Sequence, residues 1–179
     1  MRKALVAFLL LVGAGTTLVV AALAIASGGS NSIQAHEGLA GYSEVPALST
    51  TGNGNFDAKV SSDGQSFDWT LTYGDLEGSV TQAHIHFGQR DVSGGISIWL
   101  CGTATNPGPA GTAVCPSAGT VTGTATAANV VGPVGQGIEA GAWEEILAAI
   151  RAGKTYANVH STKWAPGEIR GQLNDPSGK

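Results

Sequence analysis

Charge is scarce in this sequence: 9 Lys+Arg and 13 Asp+Glu among 179 residues, or 12%, where soluble domains usually carry about 25%. Disordered chains pair high charge with low apolar content, and this chain is 42% hydrophobic, so disorder is excluded. Basic clusters are missing and the net charge is −4. No Lys/Arg stripe is available to displace counterions from a phosphate backbone, and nucleic acid is not expected as a partner. G-x-S-x-G, the P-loop, G-x-G-x-x-G after a strand and H-E-x-x-H are all missing. Asp57, Asp63, Asp68 and Asp75 do not follow the EF-hand spacing, and Glu144-Glu145 reads as a solvated helix face. Paired-carboxylate hydrolysis is therefore unsupported; no catalytic residue and no organic-cofactor motif is assigned.

What the chain has is glycine, 27 residues of it, with Leu, Ala, Thr, Ser and Val making up much of the rest. That composition fits one β-rich, Gly-turned, exported domain. Arg2 and Lys3 precede an uncharged run of 23 residues, Ala4–Ala26. The run is diluted by Gly13, Gly15, Thr16 and Thr17, and Ala24-Ile25-Ala26 fits a small-x-small cleavage site. Residues 1–26 thus read as a cleaved signal peptide or an uncleaved N-terminal anchor, which would be the only membrane contact. Ile33-Gln34-Ala35 is a second, weaker cleavage site. Without residues 1–26 the chain holds 7 basic and 13 acidic residues, a net −6. Residues 27–36 (SGGSNSIQAH) read as a flexible linker, 37–175 as the domain and 176–179 as a tail.

Cys101 and Cys115 enclose a Pro/Gly-rich stretch, GTATNPGPAGTAV, and in an oxidising compartment they read as a disulfide. The competing thiolate metal site has a spacing unlike the C-x₂₋₄-C of zinc modules.

Short β-type runs follow one another between turn signals: Asn55–Val60, Ser66–Tyr73, Val80–Phe87, Gly95–Cys101, Thr120–Ala127, Thr155–Ser161 and Glu168–Leu173. Phe67, Trp69, Leu71 and Tyr73 alternate with polar residues, the pattern of a half-buried strand. Asp63-Gly64 marks a hairpin turn. Ala142–Ala152 is the one helix, with Trp143, Ile146, Leu147 and Ile150 on one stripe. The expected fold is all-β: a Greek-key-like β-sandwich or small barrel with one short late helix.

The chemistry-bearing stretch is Ala83-His84-Ile85-His86-Phe87-Gly88. In a strand, residues i and i+2 share a face. His84 and His86 project together, and Ala83, Ile85 and Phe87 turn to the core. On the strand at Thr155–Ser161, Ala157 and Val159 face inward, and Tyr156, Asn158 and His160 outward. If the two strands are neighbours, His84, His86 and His160 converge on an outer, solvent-facing patch. Three neutral imidazoles suit copper, zinc or nickel. The competing reading is ordinary polar contact, with Glu168 and Arg170 pairing with such neighbours. Trp99, Trp164, Asp91 and Arg90 border the patch or simply pack. His36 would join a copper chelate if it became the N-terminus.

Four blocks resemble the CHRD (chordin-type) domain. They are Leu39-Ala40-Gly41-Tyr42-Ser43-Glu44-Val45-Pro46, similar to L-x-G-x-x-E-V-P-P with Ala47 in place of the second Pro; Tyr73-Gly74-Asp75-Leu76-Glu77-Gly78; Val80–Gly88, similar to A-H-I-H-x-G; and Tyr156–Ser161 with Gly167–Leu173, similar to Y-x-N-V-H-T and G-E-I-R-G-Q-L. The disulfide loop looks like an insertion. The resemblance implies an extracellular β-domain. The histidine pattern is also similar to the copper ligands of Cu,Zn superoxide dismutases, but this chain has four His in all and lacks the zinc loop. The expectations are an exported binding or structural module with an unidentified extracellular partner, holding copper or zinc at His84, His86 and His160; a copper-dependent redox enzyme of dismutase type; or a metal-free envelope or adhesion domain.

Overall fold

The computed structural model describes residues 31–35 and 37–174. The expected signal or anchor, the 176–179 tail and His36 lie outside the described residues. Ten strands form one continuous sheet: β1 (Ser32–Gln34), β2 (Leu39–Ala40), β3 (Asn53–Val60), β4 (Ser66–Gly74), β5 (Val80–Phe87), β6 (Gly95–Gly102), β7 (Ala113–Val114), β8 (Gly119–Thr126), β9 (Thr155–Ser161) and β10 (Ile169–Leu173). The order across the sheet is β7-β6-β5-β9-β10-β2-β3-β4-β8, with β1 also on β3. The sheet curls into a nearly closed barrel, and Phe56, Phe67, Leu71, Ile85, Ile98, Leu100 and Ile169 fill its interior. All-β with one short late helix therefore holds.

Alternation produced the long strands. In β4 the buried residues are Phe67, Trp69, Leu71 and Tyr73, the face expected from the period of two. The β3–β4 hairpin turns at Gly64, whose φ of +72° favours glycine. The helix α1 (Trp143–Arg151) buries Trp143, Ile146, Leu147 and Ile150. Glu144 and Glu145 lie in its first turn and Arg151 in its last, each favourable to the helix dipole. Trp143 stacks on Phe67 at 5.4 Å between ring centroids and donates from Nε1 to the Gly64 carbonyl at 2.6 Å. The helix is thereby fixed over the hairpin end. Among the described residues no helix is long and apolar enough to cross a membrane.

Within the expected 27–36 linker, the described residues 32–35 are paired and packed rather than free. Ser32, Ile33 and Gln34 pair antiparallel with Lys59, Ala58 and Asp57, and Ile33 and Ala35 are buried. Ile33 and the small Ala35 after a Gly/Ser/Asn stretch are too short a pattern to give a readable period, so the strand is set by tertiary pairing. Cleavage after Ala35 would remove it. The two-residue strands β2 and β7 were equally unreadable.

Cys101 and Cys115 form the expected disulfide, which excludes the thiolate metal site. It closes a loop of 14 residues' separation, worth roughly 3 kcal/mol on the chain-entropy account. Replacing both cysteines (Cys101→Ser with Cys115→Ser) is expected to lower the thermal midpoint by roughly 10 °C. Calorimetry of the variant beside the wild type, with and without reductant, checks this. An unchanged midpoint contradicts it.

Candidate metal centre

β5 and β9 lie side by side: Ala83 pairs with Val159, His84 with Asn158, Ile85 with Ala157 and His86 with Tyr156. His160, opposite Gln82, is thus a diagonal neighbour of His84 on the same face, within reach of a long side chain. On its other side β5 meets β6, and the register slips twice, between Ala83 and His84 and between Ile85 and His86. The extra residues are Leu100 and Ser97 of β6. Such bulges bend a strand and re-aim side chains. They set Trp99 directly opposite His84, with ring centroids 4.2 Å apart and edge-on.

The expected face is correct but its exposure is not. His84 is 0% exposed, His160 5% and His86 7%; the imidazoles are covered rather than set in solvent. Alternation along a strand tells faces apart but cannot show what lies over a face. Loops cover this one, held by the polar side chains beneath them. Asn158 donates to Glu44 at 2.6 Å and to the Ile169 carbonyl at 2.8 Å. Arg170 donates to the Gln89 carbonyl at 3.0 Å, and Gln172 to the Gly88 carbonyl at 2.9 Å. Tyr156 stacks on His86, 4.8 Å apart and within 3° of parallel. The Arg170 guanidinium lies 3.4 Å from the Tyr156 ring centre.

The hydrogen bonds fix where the ring protons sit. A carbonyl can only accept. His160 Nδ1 lies 2.9 Å from the Ala165 carbonyl, so Nδ1 carries the proton and Nε2 a lone pair. His86 Nδ1 lies 2.9 Å from the Gly94 carbonyl, and its Nε2 likewise carries a lone pair. His84 Nδ1 faces His160 Nε2 at 3.2 Å, so in the metal-free chain it donates the proton between them. His84 Nε2 and His86 Nε2 are shielded from water and meet no donor. A ring N–H fixed on a carbonyl with the opposite nitrogen free is the usual arrangement of a metal-bound histidine. One ligand atom from each of the three rings can be chosen so that all lie within 4.8 Å of one another.

Electrostatics agree. Burial pushes His84 down to about 2, helped by the neighbouring His160 and His86. Burial also pushes His86 down to about 4, against the Gly94 carbonyl, which favours its charged form. His160 is lowered by burial, against the Ala165 carbonyl. Three rings that stay neutral keep their lone pairs for a metal rather than a proton.

The other expected border residues divide. Trp99 touches the centre. Trp164 donates to Glu77 at 3.3 Å and lies beside Lys163. Arg90 forms an ion pair with Glu37 at 3.2 Å, and Asp91 occupies a turn with φ +62°. Glu168 and Arg170 do not pair with each other: Glu168 accepts from Thr50 at 2.7 Å and from the Glu77 amide at 2.6 Å. The two orienting carbonyls, Gly94 and Ala165, leave no side-chain sign in the sequence. The available sign was glycine. A Cβ at Gly94 would lie 1.7 Å from the Phe87 carbonyl, and one at Gly167 would lie 2.6 Å from Glu44 Oε1, so both loops can close only with glycine there. Glu44 was also missed as a site-supporting group. Burial raises it to about 7, against the lowering effects of Asn158 and Arg170.

The sequence model of the CHRD domain family matches residues 37–173. No curated protein and no solved structure matches the chain.

The metal-free protein is expected to lose stability as pH falls below 6.5. There the unfolded chain protonates its histidines and the native state does not, so unfolding takes up protons. Glu44 opposes this, holding a proton natively up to about pH 7 that the unfolded chain holds only to about 4.5. His84 and His86 against one carboxyl leave about one proton, or roughly 1–2 kcal/mol per pH unit between pH 6 and 4.5, and His160, lowered by burial, acts in the same direction. Urea unfolding of chelator-treated protein across that range checks it; a flat profile contradicts it.

Proposed function

The chain belongs to the CHRD family, and from that premise we propose that it is an exported binding module whose His84, His86 and His160 hold one copper or zinc ion. The observation that carries this reading is the pair of ring protons fixed on the Gly94 and Ala165 carbonyls, which turns a lone pair of His86 and of His160 toward His84. Ordinary polar packing would satisfy those nitrogens, whereas His84 Nε2 and His86 Nε2 are buried with no donor. The Cys101–Cys115 disulfide fits an oxidising compartment, in line with an N-terminal segment that targets the chain outward. The bound ion would stabilise the folded chain by joining β5 to β9, since metal bound only by the native state adds to folding free energy.

Holding is favoured over turnover. A dismutase must admit a small anion to its metal, and here ring nitrogens of two of the three histidines are closed to water. The partner that such a module would serve is extracellular.

Metal analysis of the purified chain, stripped with chelator and reloaded with copper or zinc, tests the proposal. About one ion per chain is expected for wild type, and on the order of a tenth of that for His84→Ala once free metal is removed. Circular dichroism establishes that the variant is folded. Wild type that takes up neither metal, or a variant that retains it fully, overturns the reading. A superoxide assay on the copper-loaded protein separates holding from turnover, with no activity above free protein buffer expected.

A further inference from the structure

We propose that the three-histidine centre is selective for the cuprous ion over cupric and zinc ions. The proposal rests on the metal-centre reading and adds the charge state of the ion. Among the described residues the group that could hold a metal consists of His84, His86 and His160 alone, with no carboxylate and no thiolate. All three ligands are neutral, so the full charge of the ion remains in the site. The desolvation penalty of an ion grows with the square of its charge, so a monovalent ion costs about a quarter of what a divalent ion of equal size costs.

The surroundings sharpen that difference. Buried Arg170 places a guanidinium against Tyr156, whose ring also stacks on His86. One positive charge therefore already stands behind a ligand. Glu44 is hydrogen-bonded into this layer through Asn158, and its buried carboxyl, which resists ionising, leaves Arg170 only partly offset and supplies nothing toward a dication. Glu168 accepts from Thr50 and the Glu77 amide through Oε1 while its Oε2 is buried without a donor, and it lies outside the histidine group.

Coordination number points the same way. Zinc takes four ligands, with water as the fourth where the protein offers three, and cupric ion prefers a square or tetragonal set. Cuprous ion has a filled d shell and is satisfied by three nitrogens. Trp99 against His84 and Tyr156 against His86 surround two of the ligands with aromatic rings that offer no charge and no further anionic donor.

The test is competition on the purified, chelator-stripped chain. Bathocuproine disulfonate under ascorbate reports cuprous ion, and pyridylazoresorcinol reports zinc and cupric ion. One cuprous ion per chain is expected, bound on the order of a thousandfold more tightly than zinc, with copper-loaded protein silent in electron paramagnetic resonance after standing in air. Zinc or cupric ion held as tightly as cuprous ion, or a tetragonal cupric signal growing in air, overturns the cuprous assignment and leaves the metal centre standing. No uptake of any of the three ions overturns both. His84→Ala and His160→Gln should each weaken cuprous binding on the order of a hundredfold; unchanged affinity in both folded variants overturns the assignment.

Discussion

A lone pair shut away from water and from every donor is costly, about 1–3 kcal/mol for an ordinary buried polar atom. This fold keeps two on adjacent rings, His84 Nε2 and His86 Nε2. Nearly everything else on that face is consistent with holding the rings this way. The Gly94 and Ala165 carbonyls take one proton each from His86 and His160, and the neutral His84 fits between them. Protonating any ring would place a cation among neighbours that are themselves imidazoles, with Arg170 close behind. A bound metal meets the lone pairs without adding a proton, which is why the same burial that opposes acid favours coordination.

The sheet supplies the geometry. Only an antiparallel β5–β9 pair sets His84 and His160 on a diagonal, and only the two slips against β6 put Trp99 opposite His84. The core side of the same strands is apolar, with Ala83, Ile85, Ala157 and Val159 fully buried. β5 and β9 are therefore covered on both faces, once by the barrel interior and once by loops. Strand side chains hold the loops from beneath: Arg170 and Gln172 donate to the Gln89 and Gly88 carbonyls. Those bonds satisfy loop groups that would otherwise be buried without partners. The cover over the histidines and the order of the loops thus have one cause.

This explains what could be read in the sequence. Val80–Phe87 and Thr155–Ser161 were legible to the residue, because alternation and β-branched content agree with the pairing found. The helix was legible from its stripe and from Gly153, which adopts φ +65° just beyond it. The three histidines were legible as a set because i, i+2 spacing fixes a face. Their burial was not, since it depends on segments far away in sequence, Glu44 and Ala165 among them. Ser32–Gln34 was hidden for a related reason: its pairing with β3 and the bridge from Ala35 to Leu173 are set by strands distant in sequence, not by its own composition.

The disulfide loop joins the argument at Trp99. A Cβ on Gly108 would lie 2.6 Å from the Trp99 ring, so the loop backbone lies directly against the indole, whose other neighbour is His84. Cys101 stands two residues beyond Trp99 on β6, and its bond to Cys115 restrains the chain between them. A Pro/Gly-rich segment would gain little from its own packing and would otherwise sample many conformations. Once tied, it gives the indole a firm backing, and a rigid indole limits the motion of His84. The stapled loop is therefore better understood as part of the wall of the histidine centre than as a separate decoration of the barrel.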